Sequence, residues 1–193
     1  MKVLADILLL VHLLGLCLAF ISALRTDFSI IQMFWKRSWC NKLNDLSHLK
    51  LSLMPIRVGF CLLFFSGGGL LIYYWHNSPD VLKNPKIWAK LCITLFTSLN
   101  GWFIDRFLTQ VISQKRSFKN HTYLFTTCIV SLVSWIFLFL LGSFRSLNFK
   151  TSFMAFICGY LGILTVAISL ALFIWKSTPY LLNKKSLHFS SEQ

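Results

Sequence analysis

Charged residues are scarce in this sequence, and acidic residues are the scarcest of them. Only 13% of the residues are charged, and six acidic side chains stand against 19 lysines and arginines. A soluble domain carries charge on roughly a quarter of its residues. Hydrophobic residues make up 56% of the chain and aromatic residues 16%. This composition argues against a soluble globular domain and favours an integral membrane protein.

Motifs that would identify a reaction are also missing. The sequence has no glycine-rich phosphate loop, no Ser-His-Asp arrangement with an accessible nucleophile, and no pair of acidic residues suited to acid–base chemistry. Its cysteines form no Cys-x-x-Cys pair, so they indicate neither a disulfide framework nor a metal site, and we interpret them as small packing residues. They are Cys17, Cys40, Cys61, Cys92, Cys128 and Cys158.

Long apolar runs are what the chain does contain. A spanning helix needs about 20 mostly apolar residues, because the hydrocarbon core is roughly 30 Å thick and each helical residue rises about 1.5 Å. Backbone hydrogen bonds in lipid must be satisfied within the segment, so such runs are helices. We predict an all-α multipass transmembrane bundle over residues 1–176 and a polar tail over 177–193. The predicted spans are 3–24, 52–75, 87–107, 121–144 and 152–175.

The basic residues at the ends of the spans and outside them predict an orientation. Twelve lie on the side of the first loop, the third loop and the tail, against five on the other side. The positive-inside rule then places the N-terminus outside and the C-terminus in the cytoplasm. The net charge of +13 is explained in this way without a nucleic-acid partner, and we expect anionic lipids at the basic face. The twelve are Arg25, Lys36, Arg37, Lys42, Lys50, Arg106, Lys115, Arg116, Lys119, Lys176, Lys184 and Lys185.

Two parts of the N-terminal region allow alternatives. The first span has features of a cleaved signal peptide, with Lys2 before the apolar run and Ser22-Ala23 at a cleavage-like position. Because cleavage would leave the basic first loop outside, we expect the helix to stay uncleaved. Residues 28–46 have one aromatic and apolar face, which fits either an amphipathic helix in the membrane surface or an extension of the first span that packs on the bundle.

Ionisable and amide side chains within the spans are costly in lipid, so they are the candidates for a functional site. We single out Asp6, His12, Arg57, Lys90 and Asn100 as candidates. Asp6 and Lys90 lie near the predicted outer surface and are candidates for an ion pair. Arg57 lies near the inner surface, where a long side chain can snorkel to water. His12 is about 14 Å from the outer end and cannot do so.

His12 shares a helix face with Gly15, Ala19 and Ala23, so we expect it to point into the bundle. Three interpretations stay open: a structural histidine bonded to a neighbouring helix, a haem or metal ligand, and a proton relay. No other histidine lies at the same depth, so a bis-histidine haem is not expected. The segment Ser66–Gly69 is either a helix break at a binding site or a close-packing surface.

The motifs His12-Leu13-Leu14-Gly15, Arg25 and Trp88-Ala89-Lys90 resemble those of HemJ-type protoporphyrinogen oxidases and, more loosely, of CopD-type membrane proteins. The resemblance covers about the first hundred residues. It implies a haem-binding, porphyrin-oxidising site at His12 and Lys90, with haem b as the candidate cofactor. Ser66-Gly67, Asn100-Gly101 and Ser134-Trp135 are similar to elements of uncharacterised bacterial five-span proteins, which implies the bacterial inner membrane and no particular function.

Three functional hypotheses follow. The first is a haem- or porphyrin-associated redox membrane protein that uses His12 and Lys90. The second is a small proton- or ion-coupled transporter with His12 as the relay. The third is a non-catalytic scaffold or assembly factor that forms a homo-oligomer or binds a membrane-protein partner.

The haem hypothesis makes a direct spectroscopic prediction. Protein purified in detergent should show a Soret band, and His12→Ala should weaken or shift it because an axial ligand is lost. The measurement is an absorption spectrum before and after the addition of haemin. Colourless protein that takes up no haemin would exclude this hypothesis.

Overall fold

The computed structural model describes residues 2–35, 43–112, 121–144 and 149–190. These residues form α1 (Lys2–Trp35), α2 (Leu43–Asn77), α3 (Pro85–Ile112), α4 (His121–Ser143) and α5 (Phe153–Ser190), with a 3₁₀ helix over Pro79–Lys83 between α2 and α3. Each of the five long helices contains a stretch long and apolar enough to cross a membrane. The predicted all-α architecture of five candidate spans is therefore confirmed.

The ends of the first and last helices differ from the prediction. We expected the first span to end at Leu24, but α1 continues to Trp35. Thr26 and Asp27, which follow the predicted end, lie within the helix and are both buried. Residues 28–35 thus extend α1, and residues 36–42 of the predicted interfacial segment lie outside the described part. At the other end, α5 continues to Ser190 through most of the predicted tail.

Small residues bring α1 and α2 into close antiparallel contact. A Cβ atom added at Gly59 would lie 2.7 Å from both the Cβ and the backbone nitrogen of Ala19. One added at Gly15 would lie 2.8 Å from the Cβ of Leu62. Ala19 and Ala23 are buried on this face. Without small side chains at these positions the two backbones could not approach so closely.

Glycines further along α2 pack against α1 as well. A Cβ added at Gly67 would lie 3.4 Å from His12 Cε1, and one at Gly69 would lie 3.1 Å from Leu8 Cδ2. The helix is continuous through this segment. The structure therefore has no helix break at Ser66–Gly69, and the close-packing interpretation describes these glycines.

The central helix of the bundle is α4. In its most apolar stretch of 18 residues 44% of the residues are buried, against 11–22% in the corresponding stretches of the other four helices. Asn100 Nδ2 on α3 donates a 2.9 Å hydrogen bond to the Thr127 carbonyl on α4, and the Ser134 hydroxyl on α4 pairs with the Tyr160 hydroxyl on α5 at 2.7 Å. Hydrogen bonds and apolar clusters on different faces of α4 thus join it to α1, α3 and α5.

The α1–α2 contact yields a stability prediction. Gly59→Ala should lower the free energy of unfolding by about 1–3 kcal/mol, because the added methyl group overlaps backbone atoms that cannot move aside. The matched control is Gly68→Ala in the same helix, where an added Cβ meets nothing within 4 Å. That change should be neutral or stabilise by about 0.5–1 kcal/mol. Reversible unfolding in mixed micelles measures both, and equal effects would contradict the packing argument.

Candidate functional site

A cavity of about 480 Å³ lies between α1, α2, α3 and α4. It occupies the half of the bundle that contains the C-terminal part of α1 and the N-terminal part of α2. Aromatic walls come from Phe60, Trp102 and Trp135. Two carboxyl groups line the same space, from Asp27 on α1 and Asp105 on α3. The cavity therefore combines apolar walls with acidic groups, which is the usual composition of a small-molecule site.

Asp27 is the most unusual side chain of this cavity. It is 2% exposed, and its Oδ2 has no hydrogen-bond partner. The hydroxyl of Ser131 is the hydrogen-bonding neighbour of the carboxyl group. The adjacent Thr26 hydroxyl donates instead to the Ser22 carbonyl of its own helix at 2.9 Å. A buried acceptor without a donor is rare in folded proteins and needs a specific explanation.

Asp105 is held by an ion pair at the edge of the cavity. Its Oδ2 lies 2.7 Å from Arg57 Nη2 on α2, while the side chains are 53% exposed for Arg57 and 27% exposed for Asp105. The other oxygen, Oδ1, is buried without a partner. The sequence predicted that Arg57 can snorkel to water, which stays a prediction; the structure adds an ion pair with a carboxylate on the neighbouring helix.

His12 lies in the other half of the bundle and faces α2. Its Nδ1 is 3.1 Å from Ser66 Oγ, and Ser66 Oγ donates to the Leu62 carbonyl at 2.5 Å. Since a hydroxyl has one hydrogen, Nδ1 is the donor to Ser66 and Nε2 carries the lone pair. Lys90 is within electrostatic range of His12. Asp6 is exposed, and the ion pairs of the described residues do not include one between Asp6 and Lys90.

The structure therefore separates the predicted site from the cavity. His12 and Asp27 are fifteen residues apart on one helix, roughly 22 Å along its axis. Of the predicted polar residues, Arg57 lines the cavity, while Asp6, His12, Lys90 and Asn100 do not. Asn100 instead donates to the Thr127 carbonyl of α4. Whether His12 and Lys90 bind a cofactor stays a prediction.

Sequence reasoning missed both carboxyl groups of the cavity. Neither residue was among the predicted site residues, yet Asp27 and Asp105 line one space. Both continue patterns visible in the sequence. Asp27 follows Ala19 and Ala23 at four-residue spacing, and Asp105 follows Gly101 in the same way. Ending the first span at Leu24 hid the first of these patterns.

Comparisons with known proteins add nothing to this geometry: no protein-family model, no curated protein and no solved structure matches the chain.

The ion pair at the cavity edge can be tested by a double-mutant cycle. Arg57→Gln should lower the free energy of unfolding by about 0.5–1 kcal/mol, a modest amount because the guanidinium is more than half exposed. In an Asp105→Asn background the same change should have almost no effect. The control cycle combines Arg57→Gln with Asp80→Asn, a distant exposed site where additivity is expected. Additive effects of the Arg57 and Asp105 changes would show that the pair contributes nothing.

Proposed function

We propose that this chain is a small proton- or ion-coupled membrane transporter whose coupling group is Asp27. One observation carries the proposal: the carboxyl of Asp27 is buried, its Oδ2 has no partner, and it lines a cavity of about 480 Å³. Ionisable groups placed inside the membrane part of a protein are typical of ion and substrate pathways.

The coupling follows from the energy of a buried charge. A carboxylate without a partner in an apolar surrounding is strongly destabilising, so a second group must neutralise it. Either a proton on the carboxyl or a cation beside it can do this. The two cannot occupy the same carboxyl together, because the protonated form has lost the charge that attracts the cation. Binding of one therefore releases the other, and this competition is the basis of exchange across a membrane.

The proposal includes a membrane setting. We place the chain in a bacterial inner membrane with the N-terminus outside and the C-terminus in the cytoplasm, which puts the cavity in the cytoplasmic half of the bundle. The excess of basic residues on that side supports this orientation. Binding of anionic lipids there, and assembly with a second copy or another membrane protein, belong to the same proposal.

A second candidate function rests on His12. Its Nδ1 donates to Ser66, which holds the ring while Nε2 keeps a lone pair. A ligating histidine is commonly oriented by such a hydrogen bond on its other nitrogen. This arrangement suits a single-histidine ligand for a haem or porphyrin near Lys90. The absorption spectrum of the purified protein decides this candidate independently of any transport measurement.

Proton movement in proteoliposomes tests the transporter proposal. Liposomes that are acidic inside and contain a pH-sensitive dye are diluted into sodium, potassium or guanidinium chloride, and internal alkalinisation is followed over protein-free liposomes. Guanidinium is included because it keeps its charge at every relevant pH. We expect at least one cation to drive proton efflux. Asp27→Asn should reduce the initial rate by about tenfold or more, because the charge that binds the cation is removed.

The matched control is Asp6→Asn, which removes a carboxyl group from the same helix at an exposed position outside the cavity. Its rate should stay within about twofold of the original protein, because neither the cavity nor its charge changes. Efflux that is absent with all three cations, or that is equal in Asp27→Asn and the original protein, would contradict the proposal.

A further inference from the structure

The acidic cavity offers acceptors without donors. Among the described residues, the buried side-chain oxygens that lack a hydrogen-bond partner are Asp27 Oδ2 and Asp105 Oδ1, and both residues line this cavity. Buried acceptors are normally satisfied. Two lining residues that each have such an atom indicate that a ligand with hydrogen-bond donors completes the site.

One hydroxyl of the lining, that of Ser131, is already the hydrogen-bonding neighbour of the Asp27 carboxyl, and Asp27 Oδ2 still has no partner. The other three hydroxyl groups around the cavity do not supply a donor. Thr26, Thr97 and Ser98 each donate to a carbonyl of their own helix, at 2.9, 2.7 and 2.8 Å. Each of these three hydroxyls already donates its only hydrogen to a carbonyl, so it presents only oxygen lone pairs to a ligand. The polar lining therefore selects for a ligand rich in N–H groups.

The charge of the lining favours a cation. The cavity holds two carboxyl groups and one guanidinium, and Arg57 is already paired with Asp105 Oδ2 at 2.7 Å. With Asp27 ionised, the lining has one negative charge without a counter-charge. A monovalent cation restores neutrality, whereas an anion would add a second unpaired charge to a poorly solvated site.

The walls and the opening indicate a ligand with an apolar body. Trp135 is 2% exposed, its ring centroid lies 5.2 Å from that of Phe60, and both rings line the cavity. On the α2 and α3 side, the lining residues Arg57, Cys61, Phe64 and Trp102 are exposed on the perimeter of the bundle. The cavity therefore opens between α2 and α3 toward the region that lipid occupies, and a molecule that partitions into the bilayer reaches it laterally.

From these observations we propose that the cavity binds an amphiphilic organic ammonium ion, with its N–H groups on Asp27 and Asp105 and its aromatic or alicyclic body against Phe60 and Trp135. The proposal rests on the transporter function and names its substrate class. As the ammonium binds, the proton of the Asp27 carboxyl leaves to water, so that one positive charge replaces another. The volume of about 480 Å³ lies within the range of drug-sized pockets.

Three naphthalene probes of similar size separate charge from hydrophobicity. Naphthylmethylammonium carries N–H donors and a positive charge, its N,N,N-trimethyl analogue carries the charge alone, and naphthylacetate is an anion. Equilibrium dialysis against the full chain in detergent micelles, corrected for empty micelles, measures their binding. We expect saturable binding of the ammonium probe, binding of the trimethyl probe that is weaker by about tenfold, and no saturable binding of naphthylacetate.

Asp27→Asn should weaken binding of the ammonium probe by roughly 30-fold, because one member of a buried charge pair is lost. Asp80→Asn is the control, since Asp80 is exposed and outside the cavity, and it should change nothing. Naphthylacetate that binds as tightly as the ammonium probe, or an unchanged affinity in Asp27→Asn, would overturn the cation site. Equal affinity for the two cationic probes would overturn the requirement for N–H donors.

A second measurement needs no change at Asp27. Cys61 lines the cavity and Cys17 is exposed outside it, so each can be kept as the single cysteine of an otherwise cysteine-free chain. The ammonium probe should slow alkylation of Cys61 by a maleimide severalfold and leave Cys17 unaffected. Equal effects on both cysteines would overturn the proposed location of the binding site.

The binding measurements and the transport measurement test different claims. Because binding is measured without a membrane gradient, probe binding without transport removes the transporter function and keeps the ligand class. Proton exchange without probe binding removes the ligand class and keeps the transporter function.

Discussion

Polar side chains on helices that cross a membrane need partners inside the protein, because lipid offers none. This constraint explains the polar contacts between the helices. The His12 ring pairs with Ser66, Asn100 donates to the carbonyl of Thr127, and Ser134 pairs with Tyr160. Each contact joins two helices and fixes their mutual rotation. Against this background of satisfied groups, the buried and unpartnered oxygens of Asp27 and Asp105 mark one region of the bundle as different.

The same constraint acts together with close packing to shape that region. The backbones of α1 and α2 meet at Gly59 and Ala19, where no side chain larger than a methyl group separates them. Between α2 and α3 the contact at the cavity edge is instead an ion pair of long side chains, Arg57 and Asp105. Such a pair spans a gap that direct packing would close. The cavity therefore has an ion pair at its α2–α3 edge and borders the tightly packed α1–α2 contact, since its lining includes Ala23 and Phe60.

Hydropathy alone predicted five helical spans, because the cost of placing backbone groups in lipid leaves few alternatives. It could not predict where α1 ends. An aspartate is unfavourable on any transfer scale, and only the packed structure, in which Ser131 of α4 is its hydrogen-bonding neighbour, shows that Asp27 is buried. Asp27 continues the four-residue spacing of Ala19 and Ala23, which places it on the same helix face. This pattern is visible in the sequence, but it indicates burial of Asp27 only if the helix extends beyond its apolar run. The pairing of Arg57 with Asp105 had no such signal, because helical periodicity describes one helix and this contact joins two.

The two polar regions also differ in what they leave open, and this difference separates the two proposed functions. At His12 the hydrogen bond to Ser66 leaves one nitrogen lone pair, which suits a hydrogen-bond donor or a metal ion. At Asp27 the open atom belongs to a group that carries a full charge when it is ionised, and a proton and a cation compete for it. A one-for-one exchange at that carboxyl moves no net charge, so the membrane potential does not drive it. The pH gradient does, and each unit of it supplies about 1.4 kcal/mol, enough to support a tenfold gradient of the exchanged cation.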